Sequence, residues 1–179
     1  PIVRQAGDKW IAIALMEKPV EALQQSFLRT KATDYASFLK VAALKANSSN
    51  NTLFADDKGQ TAYLHPQFIP VRDDRFDYTN AVDGSDPSTD WQGLTPITRA
   101  PQVLNPAGGW TYNTNDWPWE AAGAASPSRA AFPRYMDTAG PNGRGLHARR
   151  VLDGLEYNPD GTMKCVEQTT QGIDPRSEE

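Results

Sequence analysis

The chain has 179 residues, a formal net charge of −4 and a hydrophobic fraction of 39%, which suits one domain or a large piece of one. No apolar run approaches the ~18–20 residues that cross a bilayer, and no collagen or coiled-coil period is present, so membrane-spanning and fibrous classes are excluded. Lysines and arginines are scattered rather than gathered on one face, which argues against a nucleic-acid partner, and a single cysteine, Cys165, excludes an internal disulfide or a cysteine-based zinc site.

The elements follow in chain order. Ile2–Gln5 and Lys9–Leu15 flank Gly7-Asp8, good turn chemistry for a β-hairpin. The second strand of that hairpin, Trp10 to Leu15, is apolar on both faces and is expected to be buried on both sides. Pro19 can open a helix at its first position, with Leu23, Phe27 and Leu28 at helical spacing. Thr33 or Asp34 can cap a second helix, whose apolar stripe is Tyr35, Phe38, Leu39 and Ala42. Asn51–Ala55 and Gln60–His65 flank Asp56-Asp57-Lys58-Gly59 as a second hairpin. We expect both hairpins in one sheet, with the two helices covering one face.

Beyond Pro66 the periodicity fades, and residues 66–108 read as long, packed loops. Gly109–Asn115 reads as one further short strand, and residues 117–142 again as loop. Asn142 or Gly143 can start a last helix running to about Leu155. Residues 1–157 therefore read as the structured segment and 158–179 as a polar, mobile tail. The chain enters an apolar alternating stretch at once, without a leader, which reads as a fragment boundary.

Taken one at a time, the chemistry-bearing residues have plain explanations. An amino-terminal proline such as Pro1 can act as a general base, as in tautomerases, but nothing else in the chain supports that chemistry. His65 and His147 stand without a nucleophile motif or metal spacing, and His65 reads as a structural hydrogen-bonding residue. Asp56-Asp57, Asp73-Asp74 and Asp83/Asp86 lack the spacing of a calcium loop and read as turn caps. Trp91, Trp110, Trp117 and Trp119 either line a pocket or anchor their loops.

Larger motifs change this picture. Asp90-Trp91-Gln92-Gly93-Leu94-Thr95-Pro96 is followed by Pro101-Gln102-Val103-Leu104-Asn105-Pro106-Ala107-Gly108-Gly109-Trp110 and then by Asn113-Thr114-Asn115-Asp116-Trp117-Pro118. With the strand pair Thr52–His65 and the segment Val82-Asp83-Gly84, this order resembles the penicillin acylase family of N-terminal-nucleophile hydrolases, which includes acyl-homoserine-lactone acylases. Pro1-Ile2-Val3 resembles the end of a family strand.

The resemblance implies an α+β chain taken from a four-layer αββα fold, with an antiparallel sheet, helices and long loops. It implies a segment of the catalytic large subunit of an amidohydrolase. A serine outside this chain, using its own α-amine as base, would cleave N-acyl amides: acylated β-lactams, acyl-homoserine lactones or related compounds. Asn115 would be the side-chain oxyanion donor, a role that suits a neutral group fixed in advance. Arg144 would orient it, with Arg134 and Arg149 as alternatives. Many family members carry a second asparagine where this chain has Asp116, and we expect that carboxylate to turn away from the oxyanion, towards a backbone N–H or an arginine. The partners implied are the rest of the large subunit, the small subunit and a small N-acyl substrate; the compartment is periplasmic or secreted. Some members carry Ca²⁺, but no complete metal set is present here and no cofactor is expected. A non-catalytic binding or structural module derived from the same fold is the alternative.

Overall fold

The computed structural model describes residues 1–47 and 50–154. Cys165, the expected tail and Leu155, the expected end of the final helix, lie outside them.

Two antiparallel sheets organise the chain. The first is a ribbon of β1 (Ile2–Ala6) and β2 (Lys9–Ala12), turned at Gly7 with φ 64°. The second holds β3 (Thr52–Ala55), β4 (Thr61–Leu64) and β5 (Gln102–Leu104), with β4 in the centre. The β3–β4 turn is set by Asp56, whose Oδ1 accepts from Lys58 N (3.0 Å) and Gln60 N (2.9 Å), and by Gly59 at φ 78°.

This corrects three expectations. The two hairpins do not share a sheet, because the free edge of β4 is taken by β5, from a segment expected to be loop. The first hairpin also stays open to solvent: Trp10 is 64% exposed, and Ile13 and Leu15 are exposed. A two-stranded ribbon buries its apolar side chains only against another layer, and the described residues supply none. Gly109–Asn115 is not a strand either.

The helices form where expected. Helix α1 (Pro19–Leu28) starts on Pro19 at its first turn. Helix α2 (Tyr35–Ala42) is capped by Asp34, whose Oδ1 accepts from Ser37 N (2.7 Å) while Ser37 Oγ accepts from Asp34 N (3.1 Å). This reciprocal box satisfies two otherwise orphaned donors, and the hydrogen bonds from Ser37 hold the Asp34 carboxyl below its usual range. Helix α3 (Gly143–Asp153) is capped by Asn142, whose Oδ1 accepts from Gly145 N (3.0 Å).

Helix α2 packs on the second sheet through rings. Phe54 of β3 meets Phe38 at 5.1 Å and Tyr35 at 5.4 Å between centroids. Leu39 and Ala42 pack with Ile97 and Ala100, so a loop residue pair completes this core. Helix α1 is tied down by a polar contact instead. The buried side chain of Gln25 accepts from Ala46 N (2.8 Å) and donates to Pro66 O (3.3 Å). Its apolar residues Val20, Leu23 and Phe27 are exposed.

The long middle segment is pinned rather than loose. Val71 N donates to Gly93 O, Gln92 N to Val71 O and Thr95 N to Ile69 O, all at 2.8–2.9 Å. Short 3-10 turns and Asp caps fill the remainder. Asp83 and Asp86 accept from the backbone N–H and hydroxyl of Ser85 and Ser88, which lower both carboxyls.

Candidate active site

Residues 113–116 form a small loop whose polar groups close on each other. The outer ends of this region are joined by Tyr112 N donating to Ala121 O (2.9 Å). Within it Asn113 Oδ1 accepts from Asn115 N (3.1 Å), and Asn115 takes φ 63°. Asparagine is one of the few side-chain-bearing residues that adopts this left-handed conformation readily. A β-branched or bulky residue would be strained there.

Asp116 holds the loop from below. It is 3% exposed; its Oδ1 accepts from Thr114 N (3.2 Å) and Asn113 Nδ2 (3.3 Å), and its Oδ2 accepts from Thr114 Oγ1 (2.9 Å). The expected turn of this carboxylate towards a backbone N–H is what the geometry has. Asn51 Nδ2 donates to Asp116 O (3.1 Å), and Gln67 Nε2 in turn donates to Asn51 Oδ1 (2.8 Å). The segments just before β3 and just after β4 thereby brace the loop.

The N-terminus of α3 closes the arrangement from the other side. Asn142 Nδ2 donates to Thr114 O (2.9 Å). Arg144 Nη2 donates to Thr114 O (2.6 Å) and to Asn115 Oδ1 (3.1 Å). With the amide oxygen of Asn115 engaged, its Nδ2 is turned the other way and has no acceptor among the described residues. Asn115 is exposed, so a donor pre-oriented by a fixed cation stands at the surface. Such an arrangement can bind a negatively charged oxygen.

Arg134 and Arg149 are occupied elsewhere. Arg134 pairs with Asp74 through its backbone N–H and guanidinium, and Arg149 with Glu120 (3.3 Å) and Asp153 (3.4 Å). A cavity of about 330 Å³ opens beside Asn115, walled by Asn51, Gln67, Asn113, Asp116, Tyr135 and Asp137 among others. Burial pushes the Asp137 carboxyl above its usual range. A second, apolar cavity of about 490 Å³ lies between α1 and α2, lined by Met16, Leu23, Phe38 and Val41 among others. Segments 50–52 and 66–67 run between the two.

The other candidates fall outside this site. Pro1 stands exposed at the end of the ribbon, its carbonyl accepting from Ile13 N (2.9 Å). His147 is exposed on α3. His65 is buried, with Nδ1 3.5 Å from Tyr63 Oη and no partner for Nε2 among the described residues; burial pulls its pKa down to about 4. Three of the tryptophans anchor loops: Trp91 packs on Phe68, Trp110 on Tyr112 and Trp119 on Phe132; neither cavity is lined by a tryptophan. No three His, Cys, Asp or Glu side chains among the described residues are gathered as a metal site, and no described helix is long and apolar enough to cross a membrane.

Sequence reading missed Gly145, Asn51, Gln67, Tyr135 and Asp137. The first carries a signal, since glycine at the third position of a helix has poor propensity and invites a steric explanation. The others carry none.

Comparison with known proteins agrees with the motifs. The sequence profile of the penicillin amidase family matches residues 1–176. Penicillin G acylase of Escherichia coli is 32% identical over 101 residues, which is 56% of this chain and 12% of that protein. The structure of the thermostable penicillin G acylase from Alcaligenes faecalis superposes with a TM-score of 0.52 at 25% identity, covering 69% of this chain and 19% of that one. The chain thus spans less than a fifth of either relative. A full-length profile match, a curated relative and a solved structure all agree: the chain belongs to the penicillin amidase family.

Proposed function

We propose that this chain is a segment of the large subunit of an amidohydrolase that cleaves N-acyl amides, and that Asn115 and Arg144 form part of its oxyanion site. The parent would have the four-layer αββα fold, mature by self-cleavage into two subunits, and work in the periplasm or outside the cell. The rest of the large subunit and the small subunit are its partners. Acylated β-lactams, acyl-homoserine lactones and related N-acyl amines are its candidate substrates.

A serine outside this chain adds through its hydroxyl oxygen to the amide carbonyl carbon, and its own α-amine takes the proton. The carbonyl oxygen becomes an oxyanion and receives the Asn115 Nδ2–H. Collapse expels the amine, which leaves protonated, and water then hydrolyses the acyl ester. Arg144 fixes which end of the Asn115 amide faces the reaction. No step is assigned to a metal.

The contact that carries this reading is Arg144 Nη2 on Asn115 Oδ1 at 3.1 Å, with Nδ2 left free. The test is Asn115→Ala in the complete, processed protein, with processing and folding verified. Losing one oxyanion donor typically lowers kcat ~10²–10³-fold, and KM should move far less, since the ground-state carbonyl carries less charge. Wild-type kcat in the processed variant would overturn the reading.

A further inference from the structure

We propose that the cavity beside Asn115 receives the amine half of the amide, and that Asp137 makes it select uncharged or cationic amines over amines bearing a carboxylate. This rests on the oxyanion role of Asn115.

Placement comes first. Asn115 is in the cavity wall. A carbonyl whose oxygen meets Asn115 Nδ2 therefore has one of its two substituents at the cavity mouth. The wall chemistry decides which. Asn51, Gln67, Asn113, Asp116 and Asp137 contribute amides and carboxylates. An apolar acyl chain would strip water from these groups without replacing its hydrogen bonds, leaving each polar group buried and unpaired at a cost. The amine half carries the polar atoms that can replace that water. About 330 Å³ suits a small ring or head group and not a long chain.

Charge then sets the selectivity. The wall holds two carboxylates and no lysine, arginine or histidine. The oxygens of Asp116 are engaged by Thr114 and Asn113. Asp137 Oδ1 accepts from Ala139 N (2.9 Å), while its Oδ2 has no hydrogen-bond donor among the described residues. Arg129, the cation that acts on Asp137, spends its guanidinium N–H groups on the carbonyls of Phe132, Pro133 and Arg134. A substrate carboxylate placed here meets two like charges in the wall, with Asp137 offset only in part by Arg129, in a partly desolvated space where such repulsion is strong. An ammonium or neutral N–H donor meets an acceptor. Selection by repulsion of the wrong substrate is a common route to specificity.

The experiment uses the complete, processed protein and amides that share an acyl group, phenylacetyl in one pair and decanoyl in the other. In each pair the amine is either glycine, which carries a carboxylate, or homoserine lactone, which does not. Wild type should cleave the lactone amide with the higher kcat/KM. Asp137→Asn should raise the glycine-to-lactone ratio of kcat/KM about 10-fold. Thr138→Lys, at an exposed position in the same wall, should move the ratio the same way and does not depend on how Asp137→Asn folds. Cleavage of both amides with a ratio unchanged in both variants overturns the subsite while leaving the amidohydrolase reading intact. Failure to cleave any of the four overturns both.

Discussion

Gly145 lies directly against the Asp116 carboxylate. A Cβ built on Gly145 would overlap Asp116 Oδ2 and stand 2.9 Å from Thr114 Oγ1. The backbone of α3 therefore rests directly on the Asp116 and Thr114 side chains of loop 113–116, and only glycine allows it. In an ordinary helix, glycine to alanine stabilises by up to about 1 kcal/mol. Here Gly145→Ala should destabilise by about 1–3 kcal/mol, as overpacking does, and should lower kcat, because Arg144 is displaced with the helix. Thermal unfolding and kinetics of the complete protein check both, and a stabilised variant would refute the contact.

Asn115 separates two effects that a single substitution mixes. Its φ of 63° is free for glycine but costs other residues about 1–2 kcal/mol. Asn115→Gly and Asn115→Ala should lose kcat equally, ~10²–10³-fold. Only Asn115→Ala should also lose stability, by about 1 kcal/mol relative to Asn115→Gly. Denaturant titration alongside steady-state kinetics distinguishes the two.

Gln25 makes two buried hydrogen bonds across separate segments. Gln25→Leu keeps the bulk and strands the Ala46 N–H and the Pro66 carbonyl. The expected loss is about 1–3 kcal/mol per stranded group, read as a lowered midpoint in urea. Catalytic constants of the folded protein should stay unchanged, since Gln25 lines the apolar cavity and not the one beside Asn115.

His65 gives the fold an acid-sensitive element. Its folded pKa of about 4 lies below the ~6.5 of an unfolded histidine. The unfolded chain therefore binds the extra proton between these values. Stability from this residue is complete above pH ~6.5, falls as the pH drops towards 4, and is lost below it. The swing is of the order of 3 kcal/mol. Urea midpoints measured from pH 7.5 to 4.5 should show a steeper acid limb in wild type than in His65→Gln.

Local chemistry carried much of this fold in the sequence. Pro19, Asp34 and Asn142 announce their helices because caps act within one turn of chain. Gly7 and Gly59 announce their hairpins for the same reason. What stayed hidden depends on distant partners. Gln102–Leu104 is too short to show a period, and it is a strand only because β4 offers an edge. The apolar Trp10–Leu15 run signals burial, but the described residues supply no layer to cover it. The site divides the same way. A family motif named Asn115 and Arg144 as candidates, and the structure brings these two into contact, whereas Asn51, Gln67 and Asp137 have no local signature and meet the loop only after folding.

Trp10 is the one exposed indole among the chain's five tryptophans; the other four are half-buried. That makes the β1–β2 ribbon optically addressable. With Trp91, Trp110, Trp117 and Trp119 replaced by phenylalanine, emission reports on Trp10 alone. In the isolated segment it should fluoresce at the long wavelengths of a hydrated indole and be quenched freely by iodide. Adding the complementary parts of the protein should shift the emission to the blue and shut out the quencher, so the docking of this ribbon can be timed in a stopped-flow cell.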